Sequence, residues 1–166
     1  MQDNCTTNYY RHILKNTNLY MKYMNLIQHS HYSPSLIYHN ANHAHRVLIH
    51  SVVLSSIMNL TNADKEILYT AAVYHDIGRI NDSIDPTHGF RSWFKFIHGI
   101  YDNKMDKEQI NIVKYLIINH CLDGDFTHNF DLKTREKEYL LRIFKDADAL
   151  DRVRNNKLNI SYLNYD

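Results

Sequence analysis

Hydrophobic residues recur along much of the chain at the three- and four-residue spacing of helices that bury one face. The first such segment runs from about Tyr9 to Gln28. A second runs from about Asn40 to Met58, and its apolar face consists of Val47, Leu48, Val52, Leu54 and Ile57. The sequence HSHYSPS at residues 29–35 separates the two segments and contains Pro34. The pattern therefore predicts two helices joined by a break at this proline.

Two further helices are predicted on either side of a polar loop. The third helix follows Asn62, a residue type that caps helix N-termini, and ends at HDIG, residues 75–78. Glycine just after a helical segment is a common helix stop, which places His75 and Asp76 in the last turn. The fourth helix has Pro86 in its first turn and ends near Gly99.

The last two predicted helices begin at capping signals. The fifth opens with DKEQ at residues 106–109, the pattern of a capping box, and ends at His120. The sixth is capped by Thr134 and continues to Leu150. Six helical segments together with only four glycines and two prolines predict an all-α protein.

The length of 166 residues suits one compact helical bundle with its own core. We expect residues 1–166 to form a single domain whose core spans about 36–153. The N-terminal helix spans about 9–28, and a polar tail follows at about 154–166. The composition, with 44% hydrophobic and 22% charged residues, is that of an ordinary globular domain.

Composition also narrows the partners and the compartment. A net charge of +1 indicates neither a membrane-binding surface nor a nucleic-acid-binding surface, although a chain of this charge can still carry a local basic groove. Cys5 and Cys121 form no disulfide framework and no CxxC motif. The start of the chain lacks the order of a signal peptide, and no apolar run has membrane-spanning length. These features predict a cytoplasmic protein.

The chemistry of the chain is concentrated in its 12 histidines, several of which fall at helix ends. A helical bundle can bring such positions together in one pocket. The candidate ligands are His43, His75, Asp76, His88, His120 and Asp148. Imidazole and carboxylate ligands suit Mn, Fe, Co, Ni or Zn, and carboxylates also accept Mg. No cysteine joins this predicted set, which argues against a closed structural zinc site.

The neighbouring pair His75–Asp76 supports this expectation on electrostatic grounds. A carboxylate at a helix C-terminus meets the negative end of the helix dipole, and its burial is costly without a partner. A divalent cation would be one such partner. Arg46 or Arg79 would be another, in a plain buried ion pair.

Taken in order, three stretches resemble the HD superfamily of metal-dependent phosphohydrolases. They are His43 with Arg46 and Val47, then HDIG at residues 75–78, then Asp148 within DADALD. The resemblance covers Tyr38 to about Val153 and implies an HD-type bundle holding one or two divalent ions. HGFRS and INH resemble the further histidines of two-metal members, which implies that Asp76 bridges the ions and that His88 and His120 complete the second site. The family's usual HDxGK has Arg79 in place of its lysine here, so the charge is kept.

A second resemblance adds catalytic roles. YHNANHAHRV, residues 38–47, is similar to the YHNxxHxxxV box of cyclic-nucleotide phosphodiesterases. It implies that His39 protonates the leaving group and that His43 binds metal. The candidate phosphate-binding residues are Arg46, Arg79 and Arg91, and Asp76 and Arg79 join His39 as catalytic candidates.

Together these resemblances imply a phosphohydrolase or phosphodiesterase acting on a small phosphate ester, such as a nucleotide or a cyclic nucleotide. Two alternatives remain open at this point. The same ligands could hold two irons in an HD-type oxygenase, or the fold could serve as a non-catalytic nucleotide-binding regulatory module.

Overall fold

A computed structural model describes residues 17–102, 104–122 and 137–165 of the chain. Within these ranges the secondary structure is entirely helical, which confirms the all-α prediction. The six α-helices are α1 (Thr17–Met24), α2 (Ala41–Ile57), α3 (Asn62–Tyr74), α4 (His88–Gly99), α5 (Lys107–Asn119) and α6 (Glu138–Leu150). Short 3-10 helices occupy His29–His31, Asp151–Asn155 and Ile160–Tyr162.

Two of the predicted helix starts are present as expected. The side chain of Asn40 accepts hydrogen bonds from the first backbone N–H groups of α2. At α5, Asp106 and Gln109 form a complete capping box, because each side chain bonds the backbone N–H of the other residue. Both helices therefore begin where their local chemistry indicates.

Two other predicted starts were wrong by one or two residues. The side chain of Thr61 caps α3, and Asn62 is its first helical residue. Thr61 has the extended backbone that an N-cap requires, with φ −63° and ψ 161°. Pro86 precedes α4 instead of lying in its first turn, because Asp85 and Thr87 form a hydrogen-bonded turn just before the helix.

The ends of the chain are only partly covered. Residues 9–16 of the predicted first helix and the predicted cap Thr134 lie outside the described residues. In the described part, α1 ends at Met24, four residues before the predicted end. The backbone N–H groups of Leu26 and Ile27 bond carbonyls three residues back, so the chain tightens into turns there.

The core is organised around α3, which packs against each of the other five α-helices. Its residues 67–74 are all buried, as the apolar run before HDIG predicts. Val47 and Val52 of α2 are buried against it, but the expectation for Ile57 was wrong, since 54% of this residue is exposed. Ile57 is the last residue of α2, where a side chain has neighbours on one side only. This central position places the C-terminal end of α3 inside the bundle.

None of the helices in the described ranges has both the length and the apolar character needed to cross a bilayer.

Candidate metal centre

The HDIG segment forms a buried turn directly after α3. His75 is the C-cap of the helix and Asp76 follows it, and both residues are at most 1% exposed. Helix α4 holds this turn in place. The backbone N–H of Gly78 donates to Ser92 Oγ at 2.8 Å, and Arg91 Nε donates to the Gly78 carbonyl at 3.0 Å. The sequence predicted His75 and Asp76 in the last turn of α3, but the helix ends at Tyr74, so both residues lie just after it.

Gly78 serves close packing and is not needed to stop the helix. A Cβ atom at this position would lie 2.2 Å from the backbone nitrogen of Ser92 and 2.6 Å from the carbonyl carbon of Arg91. Real Cβ atoms do not approach backbone so closely, so only glycine fits. This approach brings α4, and with it His88, to the buried turn.

One half of the centre joins side chains from α2, the turn after α3 and α6. Nε2 of His43 lies 3.3 Å from Nε2 of His75 and 3.1 Å from Asp148 Oδ1. Oδ2 of Asp76 lies 3.5 Å from both imidazole Nε2 atoms. Four donor atoms therefore converge, and we call this group the first half.

The other half lies on the opposite side of the same carboxylate. Oδ1 of Asp76 is 3.1 Å from Nε2 of His88 and 3.6 Å from Nε2 of His120. The two imidazole Nε2 atoms are themselves 2.9 Å apart. We call this group the second half. Asp76 thus directs one oxygen into each half. The bridging role predicted for it stays a prediction.

The outward nitrogen of each imidazole faces a hydrogen-bond acceptor. A carbonyl or carboxylate oxygen can only accept, so these Nδ1 atoms carry hydrogen and leave the Nε2 lone pairs directed inward. The pairs are His43 Nδ1 with Asp151 Oδ2 (2.6 Å), His75 Nδ1 with Ala72 O (3.0 Å), His88 Nδ1 with Asp85 O (2.5 Å) and His120 Nδ1 with Ile117 O (2.7 Å). This arrangement is the one that orients histidine ligands around a metal.

The electrostatics of the centre favour a cation. Burial lowers the pKa of His75 to about 3, so its imidazole is neutral and free to donate a lone pair. Burial alone would raise the pKa of Asp76, but His75, His120 and His88 lower it well below its usual value. Burial opposes a charge on His88, yet hydrogen bonds to Asp76 and Cys121 raise the pKa of His88 to about 9. Carboxylate oxygens and imidazole nitrogens converge here, and a divalent cation can take the place of the proton on His88, so the residues fit a divalent cation.

Asp151 is a part of the centre that sequence reasoning did not assign to it. This carboxylate is 3% exposed and accepts Nδ1 of His43 and, at 2.5 Å, Nε of Arg46. It also pairs with Arg154. The signal in the sequence was its position three residues after Asp148, one helical turn along the same face.

The arginines differ in their distance from the centre. Arg79 Nε donates to Asp76 Oδ1 at 3.0 Å, so Arg79 contacts the centre directly. Arg46 is paired with Asp151, and Arg91 is paired with Asp85. The phosphate-binding roles assigned to these three arginines stay predictions.

His39 lies at the edge of the first half. Its ring centroid is 5.3 Å from that of His43, and its Nδ1 lies 2.7 Å from Asp82 Oδ1. Asp82 also accepts the backbone N–H groups of Ile37, Tyr38 and His39, so it ties this segment to the loop after HDIG. The sequence did not single out Asp82. The general-acid role of His39 stays a prediction.

Cys121 was also left out by the sequence, which had no cysteine in the ligand set. Its Sγ and one ring nitrogen each of His88 and His120 all lie within 4.8 Å of one another. The signal that could have found it is its place next to His120. A sulfur donor is therefore present beside the second half.

Comparison with known proteins gives one match. A family model described as HD domain matches residues 40–153, more than half of the chain. The matched range begins at the cap of α2 and includes all six predicted ligands. No curated protein and no solved structure matches the chain.

Proposed function

Because the chain belongs to the HD-domain superfamily of metal-dependent phosphohydrolases, we propose that it hydrolyses a small phosphate ester. A nucleotide or a cyclic nucleotide is the expected substrate class. The observation that carries this proposal is the position of the Asp76 carboxylate between the two halves of the centre. One of its oxygens faces the first half, and the other faces the second half. A cation bound in either half, or in both, would neutralise phosphate charge and make hydroxide available near neutral pH.

The residues of the chain hold such a centre ready. His43 and His75 direct Nε2 lone pairs inward because Asp151 and the Ala72 carbonyl bond their Nδ1 atoms. Burial of His75 and Asp76 excludes competing water, which strengthens every electrostatic interaction within the centre. Asp148 is the more open ligand, with 23% of its side chain exposed, so we infer that the substrate approaches from its side.

Arg79 is the proposed phosphate contact. Its Nε bonds Asp76 and its Nη1 bonds the Ser83 carbonyl, which leaves further N–H donors of the guanidinium next to the centre. Arg46 and Arg91 would first have to leave Asp151 and Asp85 to reach a substrate. Arg79 is therefore the first of the three to test.

His39 is the proposed general acid. Asp82 bonds Nδ1 of this ring, so Nε2 is the position from which a proton can be given to the leaving oxygen. The edge-on contact between His39 and His43 places this nitrogen's ring beside the first half. Asp82 would then act as a positioning residue, holding both the ring and the backbone before α2.

The test combines metal content with turnover. Wild type and Asp76→Asn are purified without added metal and analysed for bound elements. Both are then assayed for phosphate release from nucleoside phosphates and aryl phosphates, and for conversion of cyclic nucleotides to nucleoside monophosphates. We expect wild type to hold one or two ions per chain and to hydrolyse at least one ester class. Asp76→Asn should lose both properties. The matched control is Glu138→Gln. Glu138 is an exposed carboxylate that pairs with Arg142 one turn along the same helix, α6.

Other outcomes separate the alternatives. Failure to bind Mn on titration, in a folded wild type, would remove the basis of the proposal. Two bound irons with oxygen consumption and no hydrolysis of any of these esters would indicate the HD-type oxygenase. Binding of a nucleotide with no turnover in any metal would indicate a regulatory module.

A further inference from the structure

The thiol of Cys121 lies next to the second half of the centre. Cys121 directly follows His120, which is the C-cap of α5. Its sulfur is within 4.8 Å of a ring nitrogen of His120 and of His88, and these two histidines are 8% and 1% exposed. His88 lies on α4, whereas His120 and Cys121 directly follow α5, so this cluster is a product of the fold.

The packing of α4 on α5 is built to allow this approach. A Cβ atom at Gly89 would lie 2.5 Å from the Ile117 carbonyl oxygen and 3.1 Å from Cys121 Sγ. The missing side chain lets the first turn of α4 rest on the C-terminal end of α5. Helix α4 begins at His88, so the positive end of its dipole lies beside the sulfur and favours a thiolate there.

The imidazoles point independently to a cation at this place. Nε2 of His88 and Nε2 of His120 face each other at 2.9 Å, and Nδ1 of each ring is bonded to a carbonyl oxygen. Their inward lone pairs therefore need a positive charge between or beside them. Asp76 Oδ1 lies 3.1 Å from Nε2 of His88, and Cys121 Sγ lies within 4.8 Å of a ring nitrogen of each histidine, so an oxygen and a sulfur donor both lie beside the two imidazoles.

We propose that Cys121 is a thiolate ligand of the second half, together with Asp76, His88 and His120. A soft sulfur donor in a four-ligand set selects Zn, Fe or Co and disfavours Mg. Binding replaces the thiol hydrogen by the cation, and the proton leaves to solvent. The thiol donates to the carbonyls of Pro86 (3.4 Å) and Ile118 (3.7 Å), but an S–H group is a weak donor, so little is lost when that hydrogen leaves. This site presupposes the cation of the proposed function.

The test titrates cation-free protein with Co²⁺ and with Cd²⁺ and follows the thiolate-to-metal charge-transfer absorption, with bound metal measured by elemental analysis. Wild type should develop the band as the second half fills. Cys121→Ser should lose the band, and it should bind the metal ion of the second half about 10-fold or more weakly. Cys5→Ser is the matched control and should keep the band, because it removes the other cysteine of the chain.

A second measurement needs no variant. Wild type is alkylated with iodoacetamide with and without Cd²⁺, and the modified peptides are quantified by mass spectrometry. Bound Cd²⁺ should slow the modification of Cys121 and leave that of Cys5 unchanged.

Two results would overturn the thiolate ligand while leaving the phosphohydrolase proposal in place. One is full metal loading of wild type with no charge-transfer band, and the other is a band that Cys121→Ser retains. Failure of wild type to bind Co²⁺, Cd²⁺ or Mn²⁺ would instead reject both proposals.

Discussion

Nε2 of His88 lies 2.9 Å from Nε2 of His120, although Nδ1 of each ring already faces a backbone carbonyl oxygen. Two neutral imidazoles in this arrangement would oppose two lone pairs. A positive charge has to offset the repulsion between these lone pairs. Without a metal, the proton on His88 supplies this charge, because the pKa of His88 is raised to about 9. The geometry is therefore that of a cation site in which a metal and a proton compete.

His88→Gln is expected to remove the second half and to leave the first. The variant loses the inward Nε2 of His88 but touches neither His43 nor Asp148. Bound metal should fall from two ions to one per chain in elemental analysis. The control is His98→Gln, an exposed histidine on the same helix. A stoichiometry that His88→Gln does not change would show that His88 is no ligand.

Asp151→Asn is expected to weaken metal binding in the first half. Asp151 fixes the tautomer of His43 and balances Arg46 and Arg154, so its loss misorients the ligand. We expect about a 10- to 100-fold loss of affinity, measured by competition with a chelator. Asp102→Asn, at an exposed carboxylate, is the control. Unchanged affinity in a folded Asp151→Asn would contradict the positioning role.

Gly78→Ala is expected to disturb the HDIG turn. A methyl group there meets the backbone of α4 at 2.2 Å, and neither side can yield without moving His75 and Asp76. We expect a loss of about 1–3 kcal/mol in the free energy of unfolding, together with reduced metal content. Denaturant titration measures the first quantity. Gly99→Ala is the matched control, because its Cβ would meet no atom within 4 Å.

Asp64 should contribute stability that depends on pH. Burial opposes its charge, but hydrogen bonds from Lys137, Thr61 and Tyr139 lower its pKa below the ordinary 3.8. A carboxyl whose folded pKa is lowered stabilises the protein above its unfolded pKa and loses that effect as pH falls through the folded pKa. Asp64→Asn should therefore cost about 1–3 kcal/mol at neutral pH.

The pH dependence of the effect distinguishes the loss of the Asp64 charge from a simple packing defect. The difference in unfolding free energy between wild type and Asp64→Asn should shrink as pH falls below 3.8, in urea titrations at several pH values. A difference that stays constant with pH would show that the charge of Asp64 is not responsible.

His39→Gln should affect substrates according to their leaving group. A general acid matters most when the departing oxygen is a poor leaving group, as in an alkyl or nucleoside ester. For such esters we expect kcat to fall about 100-fold or more, and for an activated aryl ester far less. The measurement is the steady-state kcat of wild type and of His39→Gln on one ester of each kind. Equal losses on both would assign His39 a role other than proton transfer.

Local sequence information was sufficient wherever the chemistry is local. Helical periodicity predicted the six segments, and Asn40 and the pair Asp106–Gln109 marked two helix starts, because a cap bonds backbone only a few residues away. The same locality limited the other starts. Thr61 and Asn62 are both good caps by type, and only the extended backbone of Thr61 decides between them.

The candidate ligands could be listed from the sequence, because few residue types bind metal and they fell at predicted helix ends. Their arrangement could not be read there. His43 and Asp151 bond each other across 108 residues, and His88 meets His120 only because α4 packs on α5. Cys121 and Asp151 were not assigned to the centre, because adjacency to His120 and a spacing of three residues from Asp148 do not by themselves show which way a side chain points.

By itself, then, the sequence determined the approximate positions of the helices and six candidate donor residues, both of which follow from residue type and short-range spacing. The tertiary structure alone decided which candidate donors lie together, which arginine contacts Asp76 and why Gly78 and Gly89 must lack side chains. The physical reason is that these properties depend on close contacts between helices, where displacements of an ångström decide whether atoms meet or clash.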